Sequence, residues 1–174
     1  CLNVGCIPSK ALLDSSHHVQ FLNEHAKEHG VNISNMEVDV PTMQKRKDKV
    51  VQILTGGVAS LLKKNRIDVF NGTACFINSG QIRIQNSMDN SSEDLQGTSI
   101  IIASGSKPIE IPAAKIDNQY IVDSTGALNF QEVPKHLGII GAGALGLELG
   151  SVWSRLGAEV VILEALPDFL AMAD

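Results

Sequence analysis

The stretch "HLGIIGAGALGLELGSVWSRLGAEVVILEA", residues 136–165, restricts the possible folds more than any other part of this 174-residue chain. An apolar run at 137–140 reads as a buried strand and ends at Gly141-Ala142-Gly143-Ala144-Leu145-Gly146. A 3.6-residue pattern then predicts a helix to about Leu156. Gly157 stops it, and a second apolar strand at 159–163 finishes at Glu164. Strand, glycine loop, helix and strand in that order define a βαβ unit. In such a unit the first glycine permits the tight turn, and the second lets a pyrophosphate approach the backbone. The third lets the helix pack on the strand. The helix start offers free N–H groups and the positive end of its dipole to that phosphate. Glu164 lies 23 residues past Gly141, where a carboxylate accepts hydrogen bonds from a ribose diol and repels a 2′-phosphate. The expected ligand is therefore NAD rather than NADP. The alternatives are a tight turn with no ligand, and a Glu164 that only caps a strand.

Bulk composition narrows the partners. The 14 Lys and Arg and 19 Asp and Glu leave a formal net charge of -5, and the two signs are interspersed. No basic stripe with interleaved aromatics occurs, and aromatics make up 4% of the chain, so no nucleic-acid partner is expected. No apolar run has the length of a membrane span, so no membrane partner is expected either. The chain starts on Cys1 and stops at "PDFLAMAD", so it reads as an interior fragment of a longer protein.

Upstream, residues 8–29 read as one helix with Pro8 in its first turn and Gly30 after its end. A second helix is predicted from Pro41, with Lys45, Arg46, Lys47 and Lys49 as a solvated face and Gly56-Gly57 as a possible break. "RIDVFNG", "TACFIN" and "QIRIQ" read as short strands, the last two joined by a turn at Asn78, Ser79 and Gly80. "NSMDNSSEDLQG" reads as a surface loop or hairpin, "TSIIIASG" as a buried strand, and "SKPIEIPAAKIDN" as a crossover. "STGALNF" reads as a short helix capped by Ser124. The expected class is α/β: Rossmann-like, three-layered, with a parallel central sheet and an antiparallel β segment, incomplete at both ends.

The first ten residues, "CLNVGCIPSK", fit no common use of paired cysteines. A zinc site starts from a shorter spacing and needs further ligands. A structural disulfide more often closes a longer loop in a cysteine-rich chain. The third reading is a redox pair. Five residues offset two helical side chains by about 140°, so pairing Cys1 with Cys6 needs an irregular turn, which Gly5 permits. Cys75, in an apolar segment, reads as a small buried hydrophobe. His25 and His29 could share a helix face, but they lack further ligands and read as surface residues, so no metal is expected.

A thiol pair and a nicotinamide site in one chain suggest electron transfer, for which a flavin is the natural relay. Here the residues resemble a known family. "CLNVGCIPSK" is similar to the active-site segment of the flavoprotein disulfide reductases, in the branch that oxidises dihydrolipoamide. "IIIASGSKP" looks like that family's second FAD-contacting strand, and the glycine-loop segment like its NAD site. The resemblance implies a Cys1–Cys6 redox disulfide, with Cys1 facing dihydrolipoamide and Cys6 next to the flavin. It implies FAD contacts at Cys1, Lys10, Ala74, Ser104, Gly105 and Ser106. It implies an NAD site of Gly141, Ala142, Gly143, Ala144, Leu145, Gly146, Glu148 and Glu164, with Lys10 and Glu148 meeting near the flavin.

The resemblance also implies a division of the chain: part of an FAD domain at 1–106, a crossover at 107–135 and the start of an NAD domain at 136–174. The implied partners are a homodimer mate and a lipoyl domain of a 2-oxo acid dehydrogenase or glycine cleavage complex. The implied compartment is the cytoplasm of a bacterium or the mitochondrial matrix of a eukaryote. Rival readings are a mercuric or glutathione reductase, both NADP-dependent, and a non-catalytic nucleotide-binding subunit.

Overall fold

Gly5, at φ 98°, turns the chain out of the Cys1 loop and into the first helix, α1, Cys6–Glu24, in a computed structural model that describes residues 1–86 and 89–167. The chain divides into two compact units, one of Cys1–Gly56 with Lys107–Asp174 and one of Gly57–Ser106.

In the first unit, α1 buries Pro8, Ser9, Ala11, Leu12 and Ser16. The helix predicted to reach residue 29 stops at Glu24, and Ala26–His29 continue as a 3₁₀ turn closed by Gly30. The second helix, α2, Val40–Lys64, runs unbroken through Gly56 and Gly57. Asp39 sets its start, accepting from the Thr42 N–H at 3.0 Å and from the Thr42 hydroxyl at 2.6 Å. The basic cluster on α2 is not one solvated face. Lys47 is buried, and its ammonium donates to the Leu128 carbonyl at 3.0 Å and to Asn129 Oδ1 at 2.7 Å. Arg46 donates to the Ala11 carbonyl at 2.9 Å and to Asp14 at 2.5 Å, tying α2 to α1. Charge runs favour solvent only when no carbonyl or carboxylate within reach replaces the lost water.

A short helix, α3, Ser124–Ala127, is capped by Asp123, whose carboxylate accepts from the Gly126 N–H, rather than by Ser124. Strand β-His136–Ile140 and strand β-Glu159–Leu163 pair in parallel, from His136 opposite Glu159 to Ile140 opposite Leu163. The helix between them, α4, Ala144–Arg155, ends where Gly157 turns the chain back. Its face of Leu149, Val152 and Trp153 joins Leu12, Val40, Met43, Leu128 and Ala158 in one core. Trp153 is fully buried, with its ring centroid 5.3 Å from that of Phe130. The core thus clamps α1 and α4 together, which places the start of each for the chemistry below.

The second unit is a meander. Numbering strands along the whole chain, β1 is Thr73–Asn78, β2 Gln81–Gln85 and β3 Ser92–Gln96, which makes the parallel pair β4 and β5. All pairings within the meander are antiparallel. Asn78 Oδ1 accepts from the Gly80 N–H at 3.0 Å and closes the first turn, and Arg83 forks onto Asp94 across the strands at 2.7 and 2.8 Å. The polar segment after β2 is the hairpin of the two forms expected, although residues 87–88 lie outside the described residues.

Three expectations fail here. Residues 66–72 form no strand, and neither do 98–105, where Ile101 and Ile102 are 90% and 72% exposed. A strand pattern becomes a strand only beside a partner, and no described strand pairs with either segment. Cys75 is exposed rather than buried, because β1 presents both faces to solvent. Among the described residues no helix is long and apolar enough to cross a membrane. "DFLAMAD", residues 168–174, lies outside the described residues.

Candidate functional site

Cys1 and Cys6 form a disulfide with their Cα atoms 4.6 Å apart. The turn between them is irregular, as the spacing requires. The Ile7 N–H donates to the Cys1 carbonyl and the Ser9 N–H to the Gly5 carbonyl, each at 3.0 Å. Cys6 is thereby the first residue of a 19-residue helix. A thiolate formed there on reduction meets the positive end of the helix dipole, which favours it over the thiol.

At the second helix start, Gly141 sits at φ 103° and donates its N–H to the Leu163 carbonyl at 2.8 Å, tying the loop to β5. Gly146 packs so tightly under the loop that an added Cβ would lie 2.2 Å from the Gly141 carbonyl oxygen. Gly143 is the reverse case: it caps α4 without a side chain, and nothing lies within 4 Å of where its Cβ would be. A helix start with no side-chain cap bond, beside open space, fits the pyrophosphate of a dinucleotide.

Glu164 closes this loop from β5. One carboxylate oxygen accepts from the Ala142 N–H at 2.7 Å, and the other from Ala165 and Leu166 at 2.8 and 3.0 Å. These bonds, led by Leu166 and Ala142, hold its carboxyl below the usual glutamate range. A carboxylate offers about four acceptor positions, so capacity remains for a ribose hydroxyl. Glu164 is thus both part of the loop's scaffold and an anion beside it.

Lys10 and Glu148 do meet: Nζ and Oε1 are 2.5 Å apart, with side chains 59% and 24% exposed. Glu148 lies beyond the first turn of α4, which contains no acidic residue, so decoration of the helix dipole does not explain it. A pair this exposed adds at most about 1 kcal/mol to stability, so its consequence is orientation. Its other oxygen, Oε2, accepts from the hydroxyl of Ser9 at 2.8 Å. Ser9 was missed in the sequence. The available signal was a polar residue three positions after Cys6, on the face α1 buries.

Ala74, Ser104, Gly105 and Ser106 belong to the other unit. Ala74 pairs with Ile84 in the meander. Gly105, at φ 77° with no atom within 4 Å of its Cβ position, leaves its backbone open to a ligand. Among the described residues no three His, Cys, Asp or Glu side chains gather as metal ligands, and His25 instead faces Glu24 and Glu28.

A dithiol-disulfide turn on one helix, packed against the helix of an open glycine loop, defines a class of nucleotide-linked disulfide oxidoreductase. The chain belongs to the pyridine nucleotide-disulphide oxidoreductase family, whose profile matches residues 1–174. It is 47% identical over its whole length to a dihydrolipoyl dehydrogenase of Cupriavidus necator and 45% identical to the mitochondrial dihydrolipoyl dehydrogenase 1 of Arabidopsis thaliana. It spans 36% and 34% of those proteins, about a third of the length of the curated relatives it matches. Among solved structures, the flavoprotein disulfide reductase RclA of Escherichia coli, as its Cu(II) complex, is similar over the whole chain and 35% of its own length. The TM-score there is 0.79 at 32% identity. LpdA of Mycobacterium tuberculosis superposes over 96% of this chain and 36% of its own with a TM-score of 0.84; at 19% identity it supports the fold alone.

Proposed function

We propose that the full-length protein oxidises dihydrolipoamide on a lipoyl domain and reduces NAD, working as a homodimer with bound FAD. The observation that carries this reading is the Cys1–Cys6 disulfide at the start of α1, beside the helix whose own start is the open glycine loop. The names of the two dihydrolipoyl dehydrogenases described above support the substrate.

The chemistry at the disulfide follows from thiol exchange. A thiolate of dihydrolipoamide attacks Cys1 Sγ, the Cys1–Cys6 bond breaks, and Cys6 leaves as a thiolate. The second substrate thiol, once deprotonated, attacks the substrate sulfur of the mixed disulfide. Lipoamide departs and Cys1 becomes a thiolate. Two electrons from the substrate then reside on the Cys1 and Cys6 pair, and two protons have been released. Bound FAD supplies a carrier that accepts electron pairs from thiolates and exchanges hydride with a nicotinamide.

The residues to hold it are Cys1, Lys10, Ala74, Ser104, Gly105 and Ser106. Lys10 places a positive charge that Glu148 orients. Gly141, Ala142, Gly143, Ala144, Leu145 and Gly146, with Glu148 and Glu164, form the NAD site, and the Glu164 carboxylate disfavours a 2′-phosphate. In domain terms, residues 1–106 belong to an FAD domain, 107–135 to a crossover and 136–174 to an NAD domain.

The test is NADH formation from dihydrolipoamide and NAD by the full-length protein. Wild type should turn over, and Cys1→Ser and Cys6→Ser should each abolish it. Turnover that survives either substitution, or that requires NADP, refutes the assignment.

A further inference from the structure

Ser9 is fully buried, yet its hydroxyl reaches two acceptors on different elements: the Cys6 carbonyl at 3.1 Å and Glu148 Oε2 at 2.8 Å. A serine hydroxyl has one proton to donate. The carboxylate is the shorter and charged partner, so it takes that proton in preference to the carbonyl. Glu148 is therefore held at both oxygens, by Ser9 on Oε2 and by Lys10 on Oε1.

We propose that Ser9 is a positioning residue of the redox site, fixing the Glu148 carboxylate so that Lys10 keeps one orientation. The terminal torsion of a glutamate is broad and about two-fold, so one partner alone leaves the carboxylate free to rotate. Lys10 cannot supply the constraint, since its side chain is more than half exposed and flexible. The buried hydroxyl can, because α1 fixes its position: the Ser9 N–H donates to the Gly5 carbonyl at 3.0 Å, within the turn that joins Cys1 to Cys6. Ser9 thus couples three things: the backbone of the disulfide turn, the acid on α4, and through it the ammonium of Lys10. Its effect on electron transfer rests on the proposed function; the hydrogen-bond arrangement does not.

The experiment compares full-length wild type, Ser9→Ala, Ser9→Thr, Lys10→Met and the Ser9→Ala/Lys10→Met double variant. Two quantities are read: the midpoint potential of the bound flavin by anaerobic titration, and the rate of its reduction by NADH. Ser9→Ala should shift the potential and slow reduction by roughly tenfold, the order expected for one lost charge-assisted hydrogen bond. Ser9→Thr, which keeps the hydroxyl, should restore both. In the Lys10→Met background Ser9→Ala should change nothing further, because it acts through that lysine. An unchanged potential and rate in Ser9→Ala overturns the inference, and so does an equal effect with and without Lys10. A wild-type protein that binds flavin and turns over while Ser9→Ala is silent defeats only this inference. A wild type with no flavin defeats the functional reading as well.

Discussion

Gly143→Ala and Gly146→Ala should fail for opposite reasons, and the contrast isolates the ligand from the fold. At Gly146 the new Cβ would lie 2.2 Å from the Gly141 carbonyl oxygen, where real Cβ atoms essentially never come within 3.0 Å. The gap must widen by at least 0.8 Å, the difference of those two distances. The carbonyl cannot give easily, because the Gly141 N–H is tied to Leu163 at 2.8 Å. Overpacking of this kind costs about 1–3 kcal/mol, offset by up to about 1 kcal/mol from the better helix propensity of alanine. At Gly143 no atom lies within 4 Å of the added methyl, so the only cost is a poorer helix cap, below about 1 kcal/mol. That methyl would project where the pyrophosphate is proposed to lie. Denaturant unfolding and NADH titration on the full-length variants give both quantities. Gly143→Ala should unfold close to wild type yet bind NADH at least about tenfold more weakly, losing hydrogen bonds to the phosphate. Wild-type NADH affinity in Gly143→Ala would refute the claim that a phosphate sits at this helix start.

Two further perturbations address the scaffold. The Glu164 carboxyl is held below its ordinary value of 4.5 by backbone N–H groups. Its bonds therefore contribute fully above that value and are lost as pH falls through the lower folded value. Glu164→Gln should flatten the acid limb of the stability-against-pH curve; an unchanged limb would show that the bonds contribute nothing. Lys47→Met should leave the Leu128 carbonyl and Asn129 Oδ1 without their donor. That should destabilise the full-length protein by about 1–3 kcal/mol in chemical denaturation, and a neutral result would mean water replaces the ammonium.

Sequence patterns were most legible where structure is local. The βαβ unit around the glycine loop is found within a residue of its expected bounds, because turn chemistry, helix period and strand period all agree there. The first hairpin of the meander, β1 with β2, is legible for the same reason, whereas β3 lies in a segment that reads only as a surface loop or hairpin. The failures are non-local. "TSIIIASG" has the composition of a buried strand, but pairing depends on a neighbour that composition does not reveal. Lys47 is buried because Leu128 and Asn129, some eighty positions away, offer it oxygen atoms. At the site, the cysteines and glycines announce themselves by spacing, whereas Ser9 matters through one contact 139 positions away. Glu164 shows a milder version. Its position at the strand end was legible, but not its bond to the Ala142 N–H, which makes it part of the loop it serves.

The central claim is that the Cys1–Cys6 disulfide exchanges electrons with a nicotinamide held by the glycine loop. The most direct measurement is differential thiol labelling of the full-length protein, without oxygen, before and after NADH. The account predicts that NADH makes Cys1 and Cys6, and no other pair, newly reactive, and that Gly143→Ala suppresses this at low NADH. If Cys1 and Cys6 stay unlabelled with NADH in excess, the disulfide is structural and the account is wrong.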